Sequence, residues 1–357
     1  LGALRSLLTL LVVVHHAVLA YHPYAPPPAP TFSGDSLLWT AFPIVDAQRW
    51  PGVDLLVGWN DTFFMSLLFL LAGVFTWPSL SRKGAGRFLG DRVRRLGLPF
   101  LVAAGLLAPL AYYPTYLVTG SEPGLGAFAR SWLALGVWPA GPAWFLWVLL
   151  AFGVAGAGLF RFFPGLGEAL GRLSARLSRS PILYFAALIV VSALAYLPLA
   201  AVFSPEHWGH WGPFWVQSGR FLHYAVYFFA GVGLGSAGMG QGLLAADGKL
   251  ARRWGLWAVG AFVAFAVAVV AFLTVMASFQ SGGPGPALAT FGNFTFVLSC
   301  AASSFAGLAF CLRFFRSQNR VLDILGDNAY GIYIFHYVFV SWLQFALLDL
   351  ALPGAAK

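Results

Sequence analysis

The chain has 357 residues, of which 59% are hydrophobic and only 9% charged, too few charges to cover a water-soluble fold, and its mean hydropathy is +0.78. This composition excludes a soluble globular domain and a disulfide-stapled secreted one, since only two cysteines are present. With the start of the chain inside, every Lys and Arg except Arg49, Arg130, Arg220 and Lys357 falls on the cytoplasmic side, so the net +9 reports membrane topology and contact with anionic membrane lipids rather than nucleic-acid binding.

Apolar stretches predict nine membrane helices, over 4–21, 57–78, 95–118, 142–161, 182–203, 220–238, 254–277, 289–312 and 329–350. The fold class expected is an all-α polytopic bundle forming one domain over 1–357. In the first span, Arg5 and His16 lie eleven positions apart, which is about three helical turns with a mismatch of about 20°, so the two share a face. His15 points about 80° away, and the rise from Arg5 to His16 is about 16 Å, placing an imidazole near mid-bilayer beneath an arginine at the cytoplasmic edge. Ionisable groups at that depth are functional candidates. His16 can be a hydrogen-bonded packing group, a proton relay or a general base, and Arg5 can be an anchor of topology or part of a shared pocket. The span lacks a small-residue cleavage pattern and is read as retained rather than removed as a signal peptide.

The first outer loop carries prolines at 23, 26, 27, 28 and 30 and is expected to lie extended across the outer mouth. Asp91-Arg92-Val93-Arg94-Arg95 is read as opening the third span, where three arginines at a helix start suit a phosphate-bearing donor. The loops 120–141 and 204–219 are rich in Gly, Pro and Trp and suit interfacial or re-entrant structure. Trp144 and Trp147 then open span four from outside, as a cavity wall or an aromatic belt. His207 and His210 beside Glu206 lack the further ligands a metal requires, and no metal is expected. Cys300 and Cys311 share a face of one helix about 16 Å apart, too far for a bridge. In the last span Tyr330, Tyr333 and Tyr337 share one face with His336 beside them, positions that line a cavity or pack between helices. There is no GxSxG elbow, HExxH helix or Walker loop.

Taken together these blocks resemble the acyltransferase 3 family of integral membrane acyltransferases. The resemblance rests on Arg5 and His16, on Phe63-Phe64-Met65 to Leu71-Ala72-Gly73-Val74-Phe75, on Arg92 and Arg95 ahead of Leu96 and Pro99, on Trp144-Phe145-Leu146, and on Tyr330-Gly331-Ile332-Tyr333 to Phe335-His336. The segment Leu68 to Phe75 is most similar to the branch that includes glucans biosynthesis protein C. The resemblance implies ten membrane helices in a complete protein, so the chain, which opens on leucine and stops soon after Leu352-Pro353-Gly354, is expected to be trimmed at both ends. It further implies acyl transfer, acetyl or succinyl, from a cytoplasmic acyl-CoA (acetyl-CoA or succinyl-CoA) to a hydroxyl of an extracytoplasmic glycan at the bacterial inner membrane. Carried over by position, His16 is the base, Arg5 its partner near the donor, Arg92 and Arg95 with neighbouring Arg94 the donor-binding set, and Trp144, Tyr330, Tyr333 and His336 the substrate-facing set. The rivals are a proton-coupled transporter or flippase of a glycan or lipid-linked substrate, and a non-catalytic scaffold.

Overall fold

The structure is a computed structural model that describes residues 1–27, 30–34, 44–315 and 319–357. Pro28 and Arg316, used above to read the outer loop and the topology, lie outside the described residues. Each of the nine predicted spans is a helix. In chain order the helices are α1 (Gly2–Leu19), α2 (Val53–Lys83), α3 (Ala85–Val118), α4 (Leu125–Ala134), α5 (Trp144–Phe162), α6 (Leu166–Leu177) and α7 (Pro181–Phe203). After a hairpin come α8 (Phe221–Ala237), α9 (Trp254–Ser278), α10 (Pro286–Phe314) and α11 (Arg320–Leu347). Among the described residues, eight of these are long and apolar enough to cross a bilayer. The predicted sixth span is α8, which at 17 residues is shorter than those eight. It sits in the middle of the bundle, where Tyr227, Phe228 and Val232 are fully buried.

The α2–α8 contact is set by glycine. A Cβ on Gly231 would strike the Leu70 carbonyl oxygen and one on Gly73 the Phe228 carbonyl oxygen, so the two backbones touch directly, as small residues allow in membrane helix pairs. Phe69, Phe152, Tyr224 and Phe228 fill the space around this contact.

The third helix departs from the sequence reading. It begins at Ala85, so Arg92, Arg94 and Arg95 sit inside a continuous helix and have no free helix N-terminus beside them. Only Gly84, at φ 75°, separates it from α2, and Lys83 closes the elbow with a 2.5 Å ion pair to Asp91. Two wide π turns interrupt α3, Val93–Gly97 and Ala103–Leu107. Each lies just ahead of a proline, which has no N–H to return to the helix. Pro99 leaves the Arg95 carbonyl without its usual donor, and the Tyr330 hydroxyl donates to it instead. The Ala104 carbonyl in the second π turn is taken by Trp138 Nε1 at 2.8 Å, and the Leu110 carbonyl, four residues before Pro114, by Trp342 Nε1 at 3.0 Å. Prolines in α3 thus expose a row of acceptors to which α11 and the outer loop dock.

Both Trp-rich loops fold back along the bundle. Trp138 reaches Ala104, which lies 14 residues before the outer end of α3, a depth of about 21 Å. The second loop folds as an antiparallel hairpin, β1 (Trp208–Trp211) against β2 (Phe214–Gln217), in register Trp208 to Gln217. It descends beside the first: Trp215 Nε1 donates to the Trp138 carbonyl at 2.6 Å, and Trp147 Nε1 to the Trp215 carbonyl at 2.7 Å. On the hairpin, His207 bonds Ser218 Oγ and His210 stacks on Trp215, so they do not converge; among the described residues there is no cluster of metal-ligating side chains. Cys300 and Cys311 are free and buried.

Candidate active site

The seam between α1 and α11 gathers most of the residues singled out in the sequence. The two helices run parallel, and α11 starts on a side-chain cap, Asn319 Oδ1 accepting from the Val321 and Leu322 amides at 3.1 Å each. Gly326, Tyr330, Tyr333 and Tyr337 then follow at intervals of three to four residues along one face. At the inner end, exposed Arg5 donates through Nη2 to the Gly326 carbonyl at 2.6 Å, and neighbouring Ser6 to the Leu322 carbonyl at 2.7 Å. One turn further Tyr330 holds the Arg95 backbone, and at the next step the Tyr333 hydroxyl donates to the Pro142 carbonyl. His16 lies at the level of His336 and Tyr337, with ring centroids 5.0 and 5.3 Å away.

The predicted shared face of Arg5 and His16 is therefore present: both point at α11, with His15 turned toward α2 against Phe64 at 5.2 Å. At the outer end, Gln344 Nε2 donates to the His16 and Ala17 carbonyls at 2.9 Å each, covering acceptors that the end of α1 leaves without helical partners.

His16 has a defined tautomer. Its Nδ1 lies 2.8 Å from the Val12 carbonyl oxygen, and since a carbonyl only accepts, Nδ1 carries the proton and Nε2 presents a lone pair. His336 is held in the same way, Nδ1 at 2.7 Å from the Tyr333 carbonyl. The ring of His16 is half-buried, that of His336 buried. A small cavity lies alongside, lined by Ala103, Ala140, Pro142, Leu146, Tyr333 and Tyr337, with a volume of about 20 Å³, enough for one water and no more. Between lining residues Ala140 and Pro142, Gly141, at φ 55°, packs against the Tyr337 ring, its Cβ position 3.0 Å away.

The arginines of α3 divide. Arg92 is half-buried, its guanidinium 4.9 Å over Phe88 and its Nη2 at 3.4 Å from Thr76 Oγ1, a long bond that leaves the group largely uncommitted. Arg94 and Arg95 are exposed, and Arg95 joins the seam through its carbonyl. Trp144 is not on the seam: it packs with Phe69, Tyr224 and Trp208 beneath the hairpin, and its neighbour Phe145 meets Tyr333 at 5.6 Å.

Three features were not read from the sequence. Gln344 and the carbonyls freed by proline are two, although Pro99 four residues beyond Arg95 carried the signal. The third is the pair of Arg220 and Asp61, 2.8 Å apart, in which the arginine side chain is 5% exposed and the carboxylate 49%.

An all-α bundle with membrane-length helices defines a polytopic membrane protein. The family model described as an acyltransferase domain, that of acyltransferase 3, matches residues 1–356, and the chain belongs to that family. It is a membrane acyltransferase. No curated protein and no solved structure matches the chain.

Proposed function

We propose that this protein transfers an acyl group, acetyl or succinyl, from cytoplasmic acyl-CoA to a hydroxyl of an extracytoplasmic glycan, working in a bacterial inner membrane with the start of the chain in the cytoplasm. One observation carries the reading. The Nδ1–H of His16 is committed to the Val12 carbonyl, which leaves Nε2 as a base at mid-depth on a seam whose inner end holds Arg5 and the Arg95 backbone. Along that seam, eleven residues separate Gly326 from Tyr337, a rise of about 16 Å. The thioester end of an extended donor, held at its phosphates by arginine forks, spans such a distance from the inner surface.

The acceptor comes from the other side, past the two Trp-rich loops and Trp144, while Tyr330 and Tyr333 keep acceptor lone pairs on phenols already oriented by backbone carbonyls. His16 Nε2 takes the hydroxyl proton, the oxygen attacks the thioester carbon, and the carbon–sulfur bond breaks with its electron pair on sulfur. No acyl-enzyme is required.

The test is release of CoA from labelled acyl-CoA by purified protein in nanodiscs, with and without a glycan acceptor. His16→Ala is expected to lower acceptor-dependent release by about 10²- to 10⁴-fold while the melting temperature stays close to wild type. Full activity in that variant refutes the mechanism, and substrate movement across the bilayer without CoA release would make the protein a transporter.

A further inference from the structure

His336 stands opposite His16 with an atom left over. It is 5% exposed, and its Nε2 is buried with no hydrogen-bond partner. Buried polar atoms without partners are rare and call for a physical reason. Its other nitrogen is committed: Nδ1–H donates to the Tyr333 carbonyl, so Nε2 is an acceptor and cannot donate to His16. His16 is locked in the matching tautomer by Val12. Two imidazoles with centroids 5.0 Å apart and planes at 63° thus each carry an Nε2 lone pair, with no hydrogen bond between the rings in the resting state.

We propose that His336 is the second proton acceptor of this site, its Nε2 sharing the proton that His16 takes from the attacking hydroxyl. This rests on the acyl-transfer reading above. When the hydroxyl O–H bond breaks, the proton passes to His16 Nε2 and the oxygen forms its bond to the acyl carbon. His16 is then an imidazolium with a new N–H inside the bilayer, where a charge-assisted bond to a neutral acceptor matters most. His336 Nε2 supplies it. As the carbon–sulfur bond breaks, the shared proton moves to the thiolate, CoA leaves as the thiol, and both rings are neutral again.

The other groups around the pair do not replace it. On α1, His15 lies 5.4 Å from His16 but is turned toward Phe64; on α11, Tyr333 and Tyr337 flank His336 at 5.8 and 6.2 Å; from α3, Tyr112 reaches the Tyr337 hydroxyl at 3.4 Å. Among the described residues, no carboxylate forms an ion pair with either imidazole. His336 acts through His16 and is a positioning residue, so its loss alters the base without removing it.

The experiment follows His16 by nitrogen NMR in full-length, histidine-labelled protein in nanodiscs, its signal assigned by its loss in His16→Gln, alongside CoA release as a function of pH. In His336→Phe the His16 titration midpoint should fall by about one pH unit, a change of 1.4 kcal/mol. The low-pH limb of turnover should move with it, kcat should drop about tenfold, and the KM for acyl-CoA should stay unchanged. His336→Gln, which keeps an acceptor near the Nε2 position, should recover most of the midpoint and serves as the readout if the phenylalanine variant does not fold. An unchanged midpoint in His336→Phe, or a shift that His336→Gln leaves uncorrected, overturns the shared proton. If the midpoint shifts as expected but wild type releases no CoA with any acceptor, the pair stands and the acyl-transfer reading falls.

Discussion

Two polar columns run through this bundle, and they are built in opposite ways. On the α1–α11 seam nearly every polar side chain is held by a backbone carbonyl: Arg5 by Gly326, Tyr330 by Arg95, Tyr333 by Pro142, His16 by Val12 and His336 by Tyr333. Between α2, α7, α8 and α10 most bonds run from side chain to side chain, although Arg220 Nη1 also donates to the Asp61 carbonyl at 3.2 Å. Arg220 pairs with Asp61, His223 Nε2 meets Cys300 Sγ at 3.4 Å, and Tyr196 reaches Asn293 at 3.4 Å. The second column is the more deeply buried, with His223 fully inside. The difference teaches that depth alone does not mark a membrane histidine as a base. In His16 a carbonyl lock on Nδ1 leaves Nε2 uncommitted, which the proposed acyl transfer requires, whereas His223 spends Nε2 on Cys300.

Breaking the packed column should damage the fold before it touches the chemistry. The largest effect is expected from Gly231→Leu, since the new side chain meets the Leu70 backbone and only separation of α2 and α8 relieves it. Purified Gly231→Leu should show no cooperative melt, whereas Gly158→Leu, at an α5 position with nothing within 4 Å of a Cβ, should melt like wild type. A wild-type melt in Gly231→Leu would mean that α2 and α8 do not touch as described. Next comes Arg220→Met. Losing an exposed pair costs up to about 1 kcal/mol and a fully buried one about 3–5 kcal/mol. With one partner inside and the other half exposed, the expected loss is about 2 kcal/mol, read by thermal unfolding in detergent, and Asp61→Asn in the same chain should return part of it. Equal stability of Arg220→Met and wild type would reduce the pair to a surface contact.

The seam was far more legible in the sequence than the packed column. Arg5 and His16 are near in sequence, and helical periodicity alone put them on one face, as it did Tyr330, Tyr333 and Tyr337. Arg220 and Asp61 are 159 residues apart, and no local pattern joins them. The nine helices were visible because bilayer-spanning apolar stretches are long, whereas the start of α3 was misplaced by ten residues because a charged segment can stay helical beyond the hydrocarbon once Gly84 has turned the chain. That error had a chemical consequence: with Arg92, Arg94 and Arg95 inside a helix, no unpaired amides accompany them, and any anion they hold is held by guanidinium groups. The depth of the two Trp loops was only partly readable, since it depends on carbonyls that Pro109 and its neighbours free in another helix.

The smallest of these effects separates the arginines of α3. Arg92 packs its stem against the Gly153 region and its guanidinium over Phe88, facing into the bundle, while Arg94 lies exposed on the far side of the π turn. A guanidinium pre-positioned by packing loses little freedom on binding phosphate and contributes about 1.5–3 kcal/mol as a charge-assisted partner. A solvated arginine gives up more freedom and is screened, contributing under about 1 kcal/mol. Arg92→Ala should therefore raise the KM for acyl-CoA by about 10- to 100-fold, and Arg94→Ala by about twofold, with kcat little changed in either, as measured by the dependence of CoA release on donor concentration. Raising the salt concentration should shrink the Arg94 effect and leave most of the Arg92 effect, because only the exposed charge is fully screened. If the two variants respond alike, the basic cluster of α3 acts as a diffuse field, and the wide turn at Val93–Gly97 does not select Arg92 for the donor.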